Sequence, residues 1–203
     1  PVFTSGATFS VAENQTSIGT VTATDIDSDN SSITFSVSGL ELSIGSSSGV
    51  LTFNSAPDYE TKSSYSATVT ASDGVNSTNQ NITVNITDVN DNAPTITSSS
   101  TFSAEENQTS IGTVTATDAD EDTLSYSLSG TDASSMNINS SSGVLTFNSE
   151  PDYETKTSYT ATVTVTDSTN SVTQNITVNI VNLNDNSPLI TSSATFSTPE
   201  NQT

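Results

Sequence analysis

The chain repeats itself every 93 or 94 residues, and this constrains its fold more than any local pattern does. Glu13-Asn14-Gln15-Thr16-Ser17-Ile18-Gly19-Thr20-Val21-Thr22-Ala23-Thr24-Asp25 recurs over residues 106–118, and Pro57-Asp58-Tyr59-Glu60-Thr61-Lys62 recurs over 151–156. A third copy starts at Pro188, matching Pro94, and runs to Glu200-Asn201-Gln202-Thr203. Self-similarity at a fixed period marks an array in which each copy is one structural unit. The expected division is 1–93, 94–187, and a first strand of a third copy over 188–203. The pattern is cut at both ends, so the chain reads as a window on a longer array.

Within one copy the apolar residues alternate. Tyr65, Ala67, Val69 and Ala71 are separated by Ser66, Thr68 and Thr70, and Ile82, Val84 and Ile86 by Thr83 and Asn85. A period of two puts one face in a core and the other in water. Strands are predicted over 7–11, 18–24, 32–38, 41–45, 49–53, 64–72 and 80–88, with a turn at Gly45-Ser46-Ser47-Ser48-Gly49 repeated around Gly143. That spacing suits a seven-stranded antiparallel Greek-key β-sandwich of the immunoglobulin-like kind, and a copy of this length can bury a single core. The fold class expected is all-β, in tandem.

Composition then excludes chemistry. There are 23 acidic side chains against 2 basic ones, Lys62 and Lys156, with no His, no Cys and no Trp, and a formal net charge of -21. Phosphate neutralisation needs clustered Lys and Arg, so no nucleic acid partner is expected, nor adhesion to anionic lipid. Without His or Cys there is no Ser-His or Cys-His pair, no common zinc or haem site and no disulfide framework. No stretch of about 18 apolar residues predicts a membrane span, and no signal peptide is read before Pro1. No enzyme is expected: paired carboxylates can serve a glycosidase, but those present are better employed as cation ligands.

The acids are not scattered, as they would be if they served only solubility. Glu13, Asp25, Asp27, Asp58, Glu60, Asp73, Asp88 and Asp91 lie at strand ends or in loops, and seven of these eight positions are acidic again in the second copy. Gathered carboxylates repel unless a cation is present. Hard oxygen ligands select calcium or magnesium, and many carboxylates with carbonyls favour calcium's larger, flexible shell. An EF-hand beginning Asp25-Ile26-Asp27-Ser28-Asp29-Asn30 is rejected: its sixth position is not Gly, its twelfth is Ser36, and flanking helices are lacking. Taken alone, Asp58-Tyr59-Glu60 reads as a turn with Tyr59 packed inward, and Asn90 and Asn92 suit turn chemistry.

Together these residues resemble a family. Asp88-Val89-Asn90-Asp91-Asn92-Ala93-Pro94 looks like the linker of cadherin repeats, accompanied by Ala12-Glu13-Asn14, Asp58-Tyr59-Glu60, Asp118-Ala119-Asp120 and a strand-ending Asp73 or Asp167. The resemblance implies three calcium ions at a junction. Glu13, Asp58 and Glu60 would come from the first copy. The linker would give Asp88, the Val89 carbonyl, Asn90, Asp91 and the Asn92 carbonyl, and the second copy Asp118, Asp120 and Asp167. At the second junction the counterparts are Glu106, Asp152, Glu154, Asn184, Asp185 and Asn186, but Asn182 stands where Asp88 stood and one acidic ligand is lost. Asp25, Asp27 and Asp73 would form the matching half-site at the top of the first copy. In the Asp120 loop the second copy is two residues shorter than the first, which makes Glu121 and Asp122 candidates for completing the site.

The function implied is a calcium-dependent extracellular stalk or adhesion protein on a cell surface or in a filament, as in a repetitive bacterial-type adhesin. Its partners would be calcium, adjacent repeats and like chains. Strand exchange is not carried over, since there is no Trp. A module binding surface glycans or a copy of itself is the alternative; against it, Phe9, Phe53, Phe102 and Phe147 alternate as core residues. The stub from Pro188 is a candidate for strand addition to a neighbouring chain. Asn-x-Ser/Thr sequons such as Asn81-Ile82-Thr83 and Asn175-Ile176-Thr177 are expected by chance in this composition.

Overall fold

A computed structural model of the chain describes residues 1–27, 32–192, 194, 195, 197 and 200. The first copy holds β1 (Val2–Phe3), β2 (Thr8–Ala12), β3 (Ser17–Thr20), β4 (Ala23–Thr24), β5 (Thr34–Val37), β6 (Leu42–Ile44), β7 (Val50–Phe53), β8 (Ser64–Ser72) and β9 (Ser77–Thr87). They form a four-stranded sheet β2-β9-β8-β5, a three-stranded sheet β3-β7-β6 and a pair β1-β4. The second copy repeats this with β10 (Thr95–Ile96), β11 (Thr101–Glu105), β12 (Ser110–Thr113), β13 (Ala116–Thr117), β14 (Ser125–Ser129), β15 (Met136–Ile138), β16 (Val144–Phe147), β17 (Ser158–Thr166) and β18 (Ser171–Val181). A 3-10 turn, Ala133–Ser135, precedes β15.

The alternation is realised as expected. Ile82, Val84 and Ile86 are buried while Thr83 between the first two is half-buried and Asn85 between the last two is exposed, and the three meet Val21, Leu42, Leu51, Phe53 and Val69 in one core cluster. Val114, Leu145, Val163, Ile176 and Val178 are buried likewise in the second copy. Gly49 and Gly143 end the tight turn in a left-handed conformation, φ 66° and 69°. Each donates its N–H back across the turn, to Gly45 and Asn139 at 2.8 and 2.9 Å.

Two expectations are corrected. The sandwich is not wholly antiparallel: β2 pairs parallel with β9, Thr8 opposite Thr83. The chain leaves β2 for the other sheet before returning, and β2 and β9 meet running the same way. The strand predicted over 18–24 is two, β3 and β4. Between them the Val21 N–H turns to the Gly49 carbonyl at 2.8 Å, and the Thr22 carbonyl accepts from Thr4 at 2.8 Å. That second contact belongs with β1, a strand the pattern did not show because two residues carry no period. The described residues of 188–203 lie in no strand, whereas Asn201, Gln202 and Thr203 fall outside the described residues, as do Ser28, Asp29 and Asn30 of the rejected loop.

By packing the chain divides into two compact units. One comprises Pro1–Ile96, Ala116–Ser125 and Val165–Val172; the other comprises Thr97–Thr115, Tyr126–Thr164 and Thr173–Thr203. The loops carrying Asp118, Asp120 and Asp167 thus belong to the same unit as the linker 88–92.

Candidate metal centre

The site is organised around a buried glutamate. β2 ends at Ala12, and Asn14 takes a left-handed φ of 61°, which Asn tolerates. Between them Glu13 is 2% exposed. Its Oε2 accepts the Tyr59 N–H at 2.7 Å and its Oε1 the Val89 N–H at 2.9 Å, joining the turn after Pro57 to the linker. Glu106 does the same in the second copy with Tyr153 at 2.8 Å and Leu183 at 2.6 Å. Glu13→Gln replaces one accepting oxygen by an NH2 facing an N–H. We expect it to destabilise the calcium-free chain by about 1–3 kcal/mol, the cost of stranding a buried donor, as read by urea unfolding. An unchanged midpoint would mean that the two hydrogen bonds contribute nothing.

Around Glu13 the carboxylates form three groups, each with oxygens mutually within 4.8 Å: Glu13, Glu60 and Asp91; Glu60, Asp88 and Asp120; and Asp118, Asp120 and Asp122. Glu60 links the first group to the second, and Asp120 links the second to the third. The linker is threaded onto Asp120, whose Oδ2 accepts the N–H groups of Asp91 and Asn92 at 3.0 and 2.9 Å while Oδ1 accepts the Asn92 side-chain amide at 2.7 Å. Desolvation opposes ionisation of Asp120, yet these donors hold its carboxyl below the usual range. At Glu60 partial desolvation, with the charges of Glu13 and Asp120, pushes the carboxyl up. Asp88 is pushed up in the same way, by desolvation and then by Asp120, Glu13 and Asp122. Burial and like charge raise these two carboxyls, whereas hydrogen bonds to the charged form lower that of Asp120.

Two oxygens test whether the residues fit a cation. Asp167 is 3% exposed. Its Oδ1 accepts the N–H groups of Thr169 and Asn170, but its Oδ2 is closed to solvent with no partner, and Asp118 Oδ2 is in the same state. Buried carboxylate oxygens are ordinarily bonded. A hard divalent cation satisfies several such oxygens at once, so the donor set fits calcium.

Not every residue expected here is gathered. Asp58 lies in none of these groups: its oxygens accept the Thr61 N–H and hydroxyl, both at 3.0 Å, which lowers its pKa. Asp152 does likewise with Thr155. In the linker, Asn90 Oδ1 and the Asn92 carbonyl both accept from the Asn170 side chain, at 3.1 and 3.2 Å, and Val89 enters through its N–H to Glu13. In the second copy Glu106, Glu154 and Asp185 form a group, and Asn182 donates its amide to Glu154 at 3.3 Å. Asn186 donates to Asp185 at 2.9 Å, and Asn184 is exposed. At the top of the first copy Asp25 Oδ2 lies 2.7 Å from the Pro1 nitrogen, and the Asp25 carboxyl, which also accepts the Asp27 N–H, raises that of Asp27. Asp73 accepts the N–H groups of Val75 and Asn76. Among the described residues these three form no carboxylate group.

Three residues were not assigned from sequence. Asn14 donates its side-chain amide to Asp91, and Asn107 to Asp185. Asn170 bridges to the linker. The available signals were an Asn after each buried Glu, and an Asn three residues beyond each strand-ending Asp, at Asn76 and Asn170.

Residues 7–87 and 100–181 each match the family model of the cadherin domain. Among solved structures the chain is similar to mouse cadherin-23 EC22-24, at 25% identity and TM-score 0.77 over 90% of this chain and 65% of that one. It is similar to protocadherin gammaB7 EC3-6, in a cis-dimer structure, at 25% identity and TM-score 0.78 over 97% of this chain and 52% of that one. Drosophila N-cadherin EC1-4 shares the fold at 24% identity and TM-score 0.72, over 89% of this chain and 49% of that one. The chain thus spans about half to two thirds of these structures. Comparison with curated proteins returned no match. Among the described residues no helix is long and apolar enough to cross a membrane. With two family matches over most of its length and two copies of one sandwich, the chain belongs to the cadherin family, as a tandem pair of cadherin domains.

Proposed function

We propose that this chain is a segment of a calcium-dependent extracellular adhesion protein or stalk, its junction stiffened by calcium. The observation that carries this reading is the linked series of three carboxylate groups, in which Glu60 and Asp120 each serve two. Shared ligands couple ions: occupying one group lowers the cost of gathering the charge of the next. Glu13, Glu60, Asp88, Asp91, Asp118, Asp120 and Asp167 would hold the ions, with Asn90 and the Val89 and Asn92 carbonyls. Asp58, whose oxygens accept from Thr61, keeps lone pairs with which it would join them. Bound calcium supplies divalent charge and flexible oxygen coordination, replacing carboxylate repulsion by attraction. Affinities of about 10⁻⁴ to 10⁻³ M suffice for modules working where calcium is abundant, which suits an extracellular place. The proposed repeats are 1–93 and 94–187, with 188–203 opening a third. The second junction, with Asn182 for Asp88, would hold its ions more weakly.

Small-angle scattering with and without chelator tests the stalk. The maximum dimension is expected to lengthen and sharpen on calcium addition; an unchanged profile would sink it. Association of like chains is the second reading, supported by the cis-dimer of the similar protocadherin segment. A family built for adhesion fits a binding role and not a catalytic one.

A further inference from the structure

We propose that two molecules of this chain join edge to edge along β8, at Ser64 and Ser66, and that Asp132 closes the equivalent edge of β17. The inference rests on the second reading above, association of like chains, and gives it a surface. On β8 the backbone groups of Thr70 and Ser72 face β5, opposite Ser36 and Thr34, and the Thr68 carbonyl accepts the Ser38 N–H at 2.9 Å. β5 ends at Val37, and the chain crosses to the other sheet through Gly39, Leu40 and Glu41. Bonding direction alternates along a strand, so Ser64 and Ser66 aim their N–H and C=O groups the same way as Thr68, past the end of β5. Both residues are exposed, and on this side their backbone groups meet no partner among the described residues.

In the second copy Thr160 stands at the place of Ser66, and residues 131–135 replace the pair Leu40-Glu41. That longer loop closes the edge. Asp132 donates its N–H to the Thr160 carbonyl at 3.0 Å, its Oδ2 accepts the Thr160 N–H at 2.8 Å, and Lys156 pairs with the same carboxylate. Ala161 beside it is buried, whereas Ala67 is only half-buried. Other edges are guarded by the usual devices: β3 and β12 shift register against their neighbours, β6 and β15 have three residues each, and the Phe35 N–H beyond β5 is taken by the Ser46 carbonyl at 2.7 Å. The β8 edge has neither Lys, Pro nor bulge over residues 64–67.

Unpaired N–H and C=O groups on an edge are a template for another strand, and a second molecule of the same chain fits this one. Antiparallel pairing about a two-fold axis sets Ser64 of each molecule opposite Ser66 of the other, with about four hydrogen bonds between identical patches. Charge favours the same occupant. In a chain of net charge -21, Ser63, Ser64, Ser66 and Ala67 carry none, and the neighbouring Lys62 is neutralised by Glu41 at 2.6 Å. Two such chains therefore meet here without setting acid against acid. The patch is smaller than the roughly 1,200 Å² of a stable interface, so the pair is weak and suits arrays crowded side by side.

Sedimentation equilibrium and amide NMR on the full chain in calcium, up to about 1 mM protein, test this. Wild type is compared with a loop exchange in which residues 131–135 replace Leu40-Glu41, and with Ser66→Pro, which removes the free N–H while keeping the ladder to β9. The average mass of wild type is expected to rise towards that of a dimer, with the Ser64 and Ser66 amide signals moving as concentration increases and those of Ser158 and Thr160 staying still. Each variant is expected to weaken association about tenfold with an unchanged circular dichroism spectrum; Ser66→Pro decides alone if the exchanged loop does not fold. A dimer that both folded variants retain, or whose formation moves the Thr160 signal as much as that of Ser66, overturns the β8 edge while association of like chains stands. If wild type stays monomeric throughout, the edge and the association reading both fall.

Discussion

Addition of 1 mM calcium to the chelated chain is expected to raise its melting temperature by tens of degrees. At a dissociation constant of about 10⁻⁴ M each ion stabilises the folded state by about 1.4 kcal/mol, so three contribute about 4 kcal/mol. In a domain of about 100 residues 1 kcal/mol moves the midpoint by about 4–8 °C. The physical source is the junction itself, where Glu60 and Asp88 are pushed towards protonation by desolvation and by their acidic neighbours. Differential scanning calorimetry with calcium, with magnesium and with chelator is the check. Magnesium, which demands near-ideal octahedral geometry and gives up its waters reluctantly, is expected to give a smaller shift. Superimposable melts with calcium and chelator would refute the prediction.

The second large effect needs no metal. Gly49→Ala and Gly143→Ala each place a Cβ 2.1 Å from a backbone oxygen, that of Val21 or Val114, at a left-handed φ. Left-handed backbone alone costs an L residue about 1–2 kcal/mol. Relieving the overlap must also pull apart the hydrogen bond from Val21 to the Gly49 carbonyl, or from Val114 to that of Gly143. Together these come to about 3 kcal/mol, a large share of the roughly 5–14 kcal/mol available to a domain of this size. Gly6→Ala, where a Cβ meets nothing within 4 Å, is the control and is expected to change little. Chemical unfolding should show Gly143→Ala lowering only one of two transitions. If the control and the two variants unfold alike, the steric argument is wrong.

Much of the candidate site was legible because charge segregation is a linear property. The outward strand positions are filled by Ser, Thr and Asn rather than by carboxylates, so the acids stand out at strand ends, and the repeat doubled every signal. Asp58 shows where such reading stops. Asp58 and Glu60 are equally acidic and two residues apart, yet Thr61 captures the first and the second joins two carboxylate groups. Which acceptor a donor reaches depends on the path of a turn, and this the order of residues did not disclose. The parallel pairing of β2 with β9 is of the same kind, since period two fixes which face is buried but is silent on direction and neighbour.

By itself the order of residues determined that the chain is an all-β tandem array with acids between its strands. Alternation and repetition are properties of neighbours along the chain, and burial of one face follows from them. The tertiary structure alone decided which acids meet. Glu13 reaches both Tyr59 and Val89, and Asp120 receives the linker, across separations of 28 to 76 residues. Those distances are set when two sheets close on one core and bring their loops to a common end.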